Sequence, residues 1–89
     1  MSTIRTEHIY VEKKPGVCGG EPVVGGTRIP VRILYQRVSS GDTPEDIHRS
    51  YPNLTLAQIY DSLSYCYDHL DEINGYIREE EVSYCQKKG

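Results

Sequence analysis

The apolar positions of this chain change their spacing near residue 30. Before that point they alternate over short runs, and after it they recur at intervals of three and four. Ile9-Tyr10-Val11-Glu12 suits a short strand and Glu21-Pro22-Val23-Val24 a second, with Pro15-Gly16 and Gly19-Gly20 turning the chain between them. Val31, Leu34, Tyr35 and Val38 then share one face of a helix that Gly41 closes. Thr43 has the chemistry of an N-cap, Pro44 fits the first helical position, and Glu45 and Asp46 lie in the positive first turn of a short second helix. Pro52 halts that helix at about Tyr51. A third helix starts from a capping box, Thr55 with Gln58, and a hydrophobic staple, Leu54 with Ile59. Its Leu56, Ile59, Tyr60, Leu63, Cys66, Tyr67 and Leu70 make a broad apolar face. A fourth helix is predicted from Asp71 to about Glu81 on Ile73 and Ile77, with a kink or stop at Asn74-Gly75.

The fold class that follows is mainly α, a domain of three to four helices with a short N-terminal β arm. The single domain is expected over 9–82 with the arm at 9–24, flanked by a mobile N-terminus at 1–8 and a tail at 83–89. Two short strands alone are marginal in water, so the arm is expected to lie on the helices or to pair with a second copy. With Ile9, Val11 and Val24 short of cover on that reading, a symmetric homodimer is expected. Arm and helices meet at a built corner, Gly25 to Val31, where glycines relax the backbone, Pro30 fixes it and Thr27 and Arg28 supply polar groups. Arg28 is expected to act there as a structural clamp on carbonyls or a carboxylate.

Composition narrows the function. Apolar residues make up 37% of the chain, with eight Tyr and neither Phe nor Trp, so most aromatic surface carries a hydroxyl and suits an interface as well as a core. A chain of 89 residues buries only about 60–65% of its unfolded surface, which leaves a thin core. No long apolar run or secretory start is visible, so no membrane span is expected and a cytoplasmic location is. Cys18, Cys66 and Cys85 are isolated, which fits neither a disulfide framework nor a zinc site. His8, His48 and His69 are scattered, with no triad spacing, and the carboxylates of Asp68, Asp71 and Glu72 lack a metal-binding partner set. Neither an enzyme nor a cofactor or metal is therefore expected. The net charge of −3 is uneven, because residues 1–50 are close to neutral and residues 51–89 hold most of the excess acid.

Gly26-Thr27-Arg28-Ile29-Pro30-Val31 resembles the signature of domain-of-unknown-function family 433, a family of short prokaryotic proteins. Gly20-Glu21-Pro22-Val23-Val24 before it, Tyr51-Pro52-Asn53-Leu54-Thr55 after it, and Asp71-Glu72-Ile73 with Tyr76-Ile77 near the end resemble the same family in the same order. The resemblance implies a helix-turn-helix, homeodomain-like fold. For some members it also implies the role of a VapB-type antitoxin that neutralises a PIN-type nuclease toxin, and it implies no enzyme. The second helix, the turn at Pro52-Asn53-Leu54 and the third helix match the helix-turn-helix outline on their own residues. In a DNA-binding reading Thr55 and Gln58 approach bases, as do Ala57 and Ser62, while Arg28, Arg32, Arg37 and Arg49 are available for phosphates. Against it, Ser50 to Ile77 contains no Lys or Arg. The reading favoured here is an antitoxin-like protein whose acidic half, through Asp68, Asp71, Glu72 and Tyr76, docks on a basic nuclease, with repression of its own promoter as an added role. A stand-alone transcription regulator and a homodimeric scaffold are the alternatives.

Overall fold

The computed structural model describes the backbone from Ile4 to Lys88 and the side chains from Arg5 to Glu79. Three short strands, β1 (Ile4–Arg5), β2 (Val11–Lys13) and β3 (Pro22–Val24), precede four helices, α1 (Val31–Ser39), α2 (Pro44–Ser50), α3 (Leu56–Asp68) and α4 (Leu70–Lys88). The strands form one antiparallel sheet in the order β1-β2-β3, with Ile4 opposite Lys13 and Val11 opposite Val24.

The arm therefore has one strand more than the sequence pattern predicts, and it begins inside the segment expected to be mobile. Ile4 and Arg5 belong to the sheet and residues 6–8 are tied to it: the Thr6 hydroxyl donates to the Val11 carbonyl at 2.8 Å and accepts the His8 N–H at 3.1 Å. A two-residue strand carries no periodicity, which is why the pattern does not reveal it. Residues 1–3 lie outside the described residues.

Val11 and Val24 are 2% and 0% exposed, in one cluster with Val31, Leu34, Ile47, Leu54, Ile59, Leu63, Tyr65, Cys66 and Ile73. The arm thus finds its cover on the helices of its own chain. The reason given for a homodimer fails for Val11 and Val24, and of the three only Ile9, 79% exposed, is left without cover.

The helix ends follow local chemistry. Thr43 and Thr55 each accept the N–H three residues on, and the Asp46 and Gln58 side chains reach back to the N–H of Thr43 and Thr55, closing two capping boxes. Gly41, at φ 109°, turns the chain out of α1 where a side chain would strain it. Pro30 stands one residue earlier than its fixed φ suggests, as the N-cap of α1 with extended backbone.

Two helices depart from expectation. In α3 the buried positions are Ile59, Ser62, Leu63, Tyr65 and Cys66, whereas Leu56, Tyr60, Tyr67 and, just beyond the helix, Leu70 are exposed. The helix is rotated because it must cover α1 and α2 on one flank and the sheet on the other, and Tyr65 serves the sheet side. In α4 the Asn74-Gly75 pair neither stops nor breaks the helix, which runs on through residues 83–88 where a tail is expected. Buried Ile73 and half-buried Tyr76 and Ile77 hold it on the core, which offsets the roughly 1 kcal/mol cost of glycine.

The corner is held by other groups than Arg28. The Thr27 hydroxyl donates to the Val24 carbonyl at 2.7 Å and accepts the Ile29 N–H at 3.0 Å, while the Glu12 carboxylate accepts the Gly26 N–H at 2.9 Å. That last bond, above all, holds the Glu12 carboxyl below its ordinary range. Gly26 is at φ 77°, where only glycine is unstrained. The Arg28 side chain is exposed and makes no hydrogen bond or ion pair among the described residues, so the clamp role is not its own; only its carbonyl is used, by the Cys18 thiol at 3.2 Å. The backbone is already saturated by Thr27 and Glu12, which leaves the guanidinium nothing to hold. Thr27→Ala is accordingly expected to cost about 1–3 kcal/mol in urea denaturation, and Arg28→Ala no more than about 0.5 kcal/mol.

Candidate functional site

Two surfaces of α3 carry the polar and aromatic groups a function could use. The first is its outer face. Leu56, Tyr60 and Tyr67 fall on one stripe by helical spacing and are 37%, 51% and 56% exposed, with Leu70 beyond the last turn. The Tyr67 ring is braced edge-on against Tyr35 of α1, centroids 5.8 Å apart.

The residues expected to bind DNA do not gather beside this face. Arg32 donates to Glu21 at 2.9 Å and to Gln36 at 3.4 Å, Arg37 donates to Asp42 at 2.6 Å, and Arg49 pairs with Asp46. These three cations are on α1 and α2 and each is already matched by a carboxylate, whereas Arg28, at the corner, is exposed and makes no ion pair among the described residues. Thr55 and Gln58 spend their side-chain oxygens on the capping box of α3, at 3.1 and 2.7 Å. Ser62 faces inward and is fully buried, which removes it from any base. Ala57 is exposed.

The second surface is the junction where the β1–β2 hairpin meets α3 and α4. Asp61 and Asp68, seven residues apart on one stripe of α3, point at the hairpin. Asp61 accepts the Tyr10 N–H at 2.8 Å with one oxygen and meets His8 Nδ1 at 2.9 Å with the other. His8 Nε2 lies 2.7 Å from Asp68. With a carboxylate at each nitrogen, the ring satisfies both only as the imidazolium. Burial alone would push its pKa down, but the hydrogen bonds to Asp61 and Asp68 outweigh this and raise it above 6.5. His8 also stands edge-on to Tyr65, and Tyr65 stacks on His69, centroids 4.2 Å apart. His69 Nε2 meets the Glu7 carboxylate at 2.5 Å, a hydrogen bond that holds Glu7 below its usual range.

Glu72 closes the junction from α4. It receives Tyr65 OH at 2.8 Å, Tyr76 OH at 3.2 Å and the Lys13 ammonium at 2.9 Å, so one carboxylate joins β2, α3 and α4. Burial would raise its pKa, yet these three donors lower it. Burial and the same carboxylate push the Tyr65 phenol up and Tyr76 up to about 12. Of the four residues expected to meet a partner, Asp68 and Asp71 are exposed, whereas Glu72 and Tyr76 are turned to internal work. A groove of about 480 Å³ runs along Tyr67 to Glu72.

Glu7, His8, Asp61 and Tyr65 are the residues that sequence reasoning missed. Only the seven-residue spacing of Asp61 and Asp68 signals a shared stripe; the partners lie more than fifty residues away along the chain. Glu7, His8 and Asp68 bring ligand atoms within 4.8 Å of one another, a spacing open to a metal ion. Elsewhere, Cys66 is buried beside the Val31 carbonyl and its thiol is pushed up to about 12 by burial, which makes it inert, and Cys18 is a free thiol at the surface of the corner. No helix among the described residues is long and apolar enough to cross a membrane.

Residues 11–66 match the family described as "Protein of unknown function (DUF433)". Among solved structures, the crystal structure of a DUF433 member protein from Anabaena variabilis ATCC 29413 superposes with a TM-score of 0.73 at 29% identity, covering 78% of this chain and 68% of that one. No curated protein matches the chain.

The junction predicts a pH dependence of defined sign. A raised pKa for His8 means that its grip on Asp61 and Asp68 is complete below about pH 6.5 and is lost as pH rises through the raised value. An NMR titration of the His8 ring should give a midpoint above 6.5, and Asp61→Asn should bring it down.

Proposed function

The chain belongs to the DUF433 family, and on that premise we propose that it is a non-enzymatic protein-binding module, the antitoxin-type partner of a PIN-type nuclease toxin. The observation that carries this reading is the outer face of α3, where exposed Leu56, Tyr60 and Tyr67 lie in a segment without a single Lys or Arg. Aromatic residues that keep a hydroxyl in water and a ring on the partner are the usual anchors of protein interfaces. Asp68 at the end of the same helix and Asp71 in the first turn of α4 add negative charge that suits the basic cleft of a nuclease. The antitoxin role itself comes from the family resemblance.

DNA is the weaker partner on physical grounds. Freeing Arg32, Arg37 or Arg49 for phosphate means breaking an ion pair that each already has, and α3 would approach the duplex with tyrosines and aspartates. Autorepression then belongs to the complex with the toxin, which can bring cations of its own.

The test starts from the neighbouring genes, where a PIN-type nuclease is expected, and is reconstitution with that nuclease. Tyr60→Ala and Tyr67→Ala should each weaken the complex at least about tenfold, and charge reversal at Asp68 and Asp71 should slow association. Fluorescence anisotropy should give only weak, sequence-indifferent binding of promoter DNA by the protein alone. Tight, sequence-selective DNA binding, or light scattering in which the tyrosine variants dissolve a homodimer and leave toxin binding intact, would overturn the reading.

A further inference from the structure

We propose that Glu7, His8, Asp68 and His69 form a binding site for one divalent transition-metal ion of the zinc class, which fastens the N-terminal hairpin to the α3–α4 junction. The inference is independent of the toxin reading and rests on side-chain geometry alone.

The four residues come from two places. Glu7 and His8 are carried on the β1–β2 connection, Asp68 is the last residue of α3, and His69 caps that helix. His8 Nε2 and Asp68 Oδ2 are 2.7 Å apart, His69 Nε2 and Glu7 Oε2 are 2.5 Å apart, and the Glu7, His8 and Asp68 ligand atoms all fall within 4.8 Å. Tetrahedral zinc with bonds of about 2.0–2.1 Å needs ligand atoms about 3.3 Å apart. The two contacts at 2.5 and 2.7 Å are shorter than that and the Glu7, His8 and Asp68 set spans up to 4.8 Å, with His69 reaching it through Glu7, so the side chains close on an ion by turning about their own torsions.

Three further features fit a metal better than a chance meeting of charges. First, each imidazole turns Nε2 to a carboxylate of the set, His8 to Asp68 and His69 to Glu7, and has a second carboxylate on its Nδ1 side: Asp61 is 2.9 Å from His8 Nδ1, and Glu72 is 3.7 Å from His69 Nδ1. Carboxylate–histidine pairs of this kind fix the tautomer and orientation of metal-bound histidines. Both backing carboxylates are themselves anchored, Asp61 by the Tyr10 N–H and Glu72 by Lys13, Tyr65 and Tyr76. Second, the balance of charge is right, since two neutral imidazoles and two carboxylates neutralise a dication that displaces the protons now shared within the pairs. Third, His8 is held in the protein at 11% exposure while the Glu7 and Asp68 side chains are more than half exposed, which leaves a path of entry. Two nitrogen ligands select zinc or its neighbours over calcium and magnesium.

The experiment uses the full-length chain without an affinity tag, with a thiol-free reductant present, near neutral pH. Zinc titrated by calorimetry should bind one ion per chain and raise the melting temperature, and cobalt should give the visible absorption of a tetrahedral nitrogen–oxygen site. His69→Ala and Asp68→Asn, both at exposed or half-exposed positions and checked for folding by circular dichroism, should abolish saturable binding. Asp61→Asn should weaken it about 10–100-fold. Absence of saturable binding by the wild-type chain, binding undiminished in His69→Ala and Asp68→Asn, or a thiolate-to-cobalt charge-transfer band that assigns the ion to cysteine would each overturn the proposal.

Discussion

The Asp61 carboxylate is the attachment on which the arrangement of this small protein depends. One oxygen takes the Tyr10 amide and the other the His8 ring, so a single side chain of α3 fixes both the backbone and the side chains of the hairpin. Without it the arm has little to hold it. Its strands are two or three residues long and are marginal in water by themselves, and among the described side chains only Val11, Val23, Val24 and Pro22 reach the core from the sheet. Hydrogen bonds to charged groups contribute about 1.5–3 kcal/mol each when shielded, against a total stability of about 5–15 kcal/mol for a domain. Asp61, with Glu72 repeating the device on Lys13, therefore decides whether the sheet belongs to the helical core or frays from it.

What the sequence discloses and what it hides divide along the same line. Most signals confined to one turn of helix are readable: the Thr43 and Thr55 boxes, the Gly41 exit from α1, the Pro52 halt, and the face Val31-Leu34 of α1 all stand where local chemistry puts them, and Asn74-Gly75, which the core overrides, is an exception. The rotation of α3 is not readable. Tyr60 and Tyr65 are the same residue type on one helix, and which is buried depends on where the sheet lands. Arg28 misleads for a related reason. A cation among Gly, Thr and Pro suggests a clamp, but the work falls to Glu12, fourteen residues before the Gly26 amide that it holds. The junction is hidden altogether, since His8 and Asp68 are sixty residues apart along the chain and meet only through the fold.

The same folding decides which partners α3 can take. A helix placed after a short turn offers its first turns to a groove of DNA, and the geometry of α2 and α3 is compatible with that. Shape alone confers no affinity for a polyanion, however, and the arginines of α1 and α2 are matched internally. Ion pairs at the rim of a small domain contribute little to its stability, but they remove the guanidinium groups from use by a ligand. What is left over on α3 is apolar and acidic. Those unmatched groups, more than the fold, are what the proposed protein partner rests on.

The extent of the family match adds a last step. It runs from residue 11 to residue 66, and so includes Asp61 but leaves Glu7, His8, Asp68, His69 and Glu72 outside. Inside that segment Glu12, Val24, Thr27 and Ile29 supply most of the corner's bonds, and the bond that leaves it, from the Gly25 N–H to the Tyr10 carbonyl at 2.7 Å, is made to backbone. The contact of Asp61 with position 10 is made to a backbone amide, which any residue except proline would provide, so it demands nothing of the sequence beyond the segment. The contact with His8 is different in kind. It requires an imidazole at one position before the segment and finds a second carboxylate, Asp68, two residues after it. An arm held by an amide alone is attached at every pH and in any ionic environment. An arm held by His8 as well is attached to a degree set by protons or by a metal ion, and that dependence is added by residues flanking the shared scaffold.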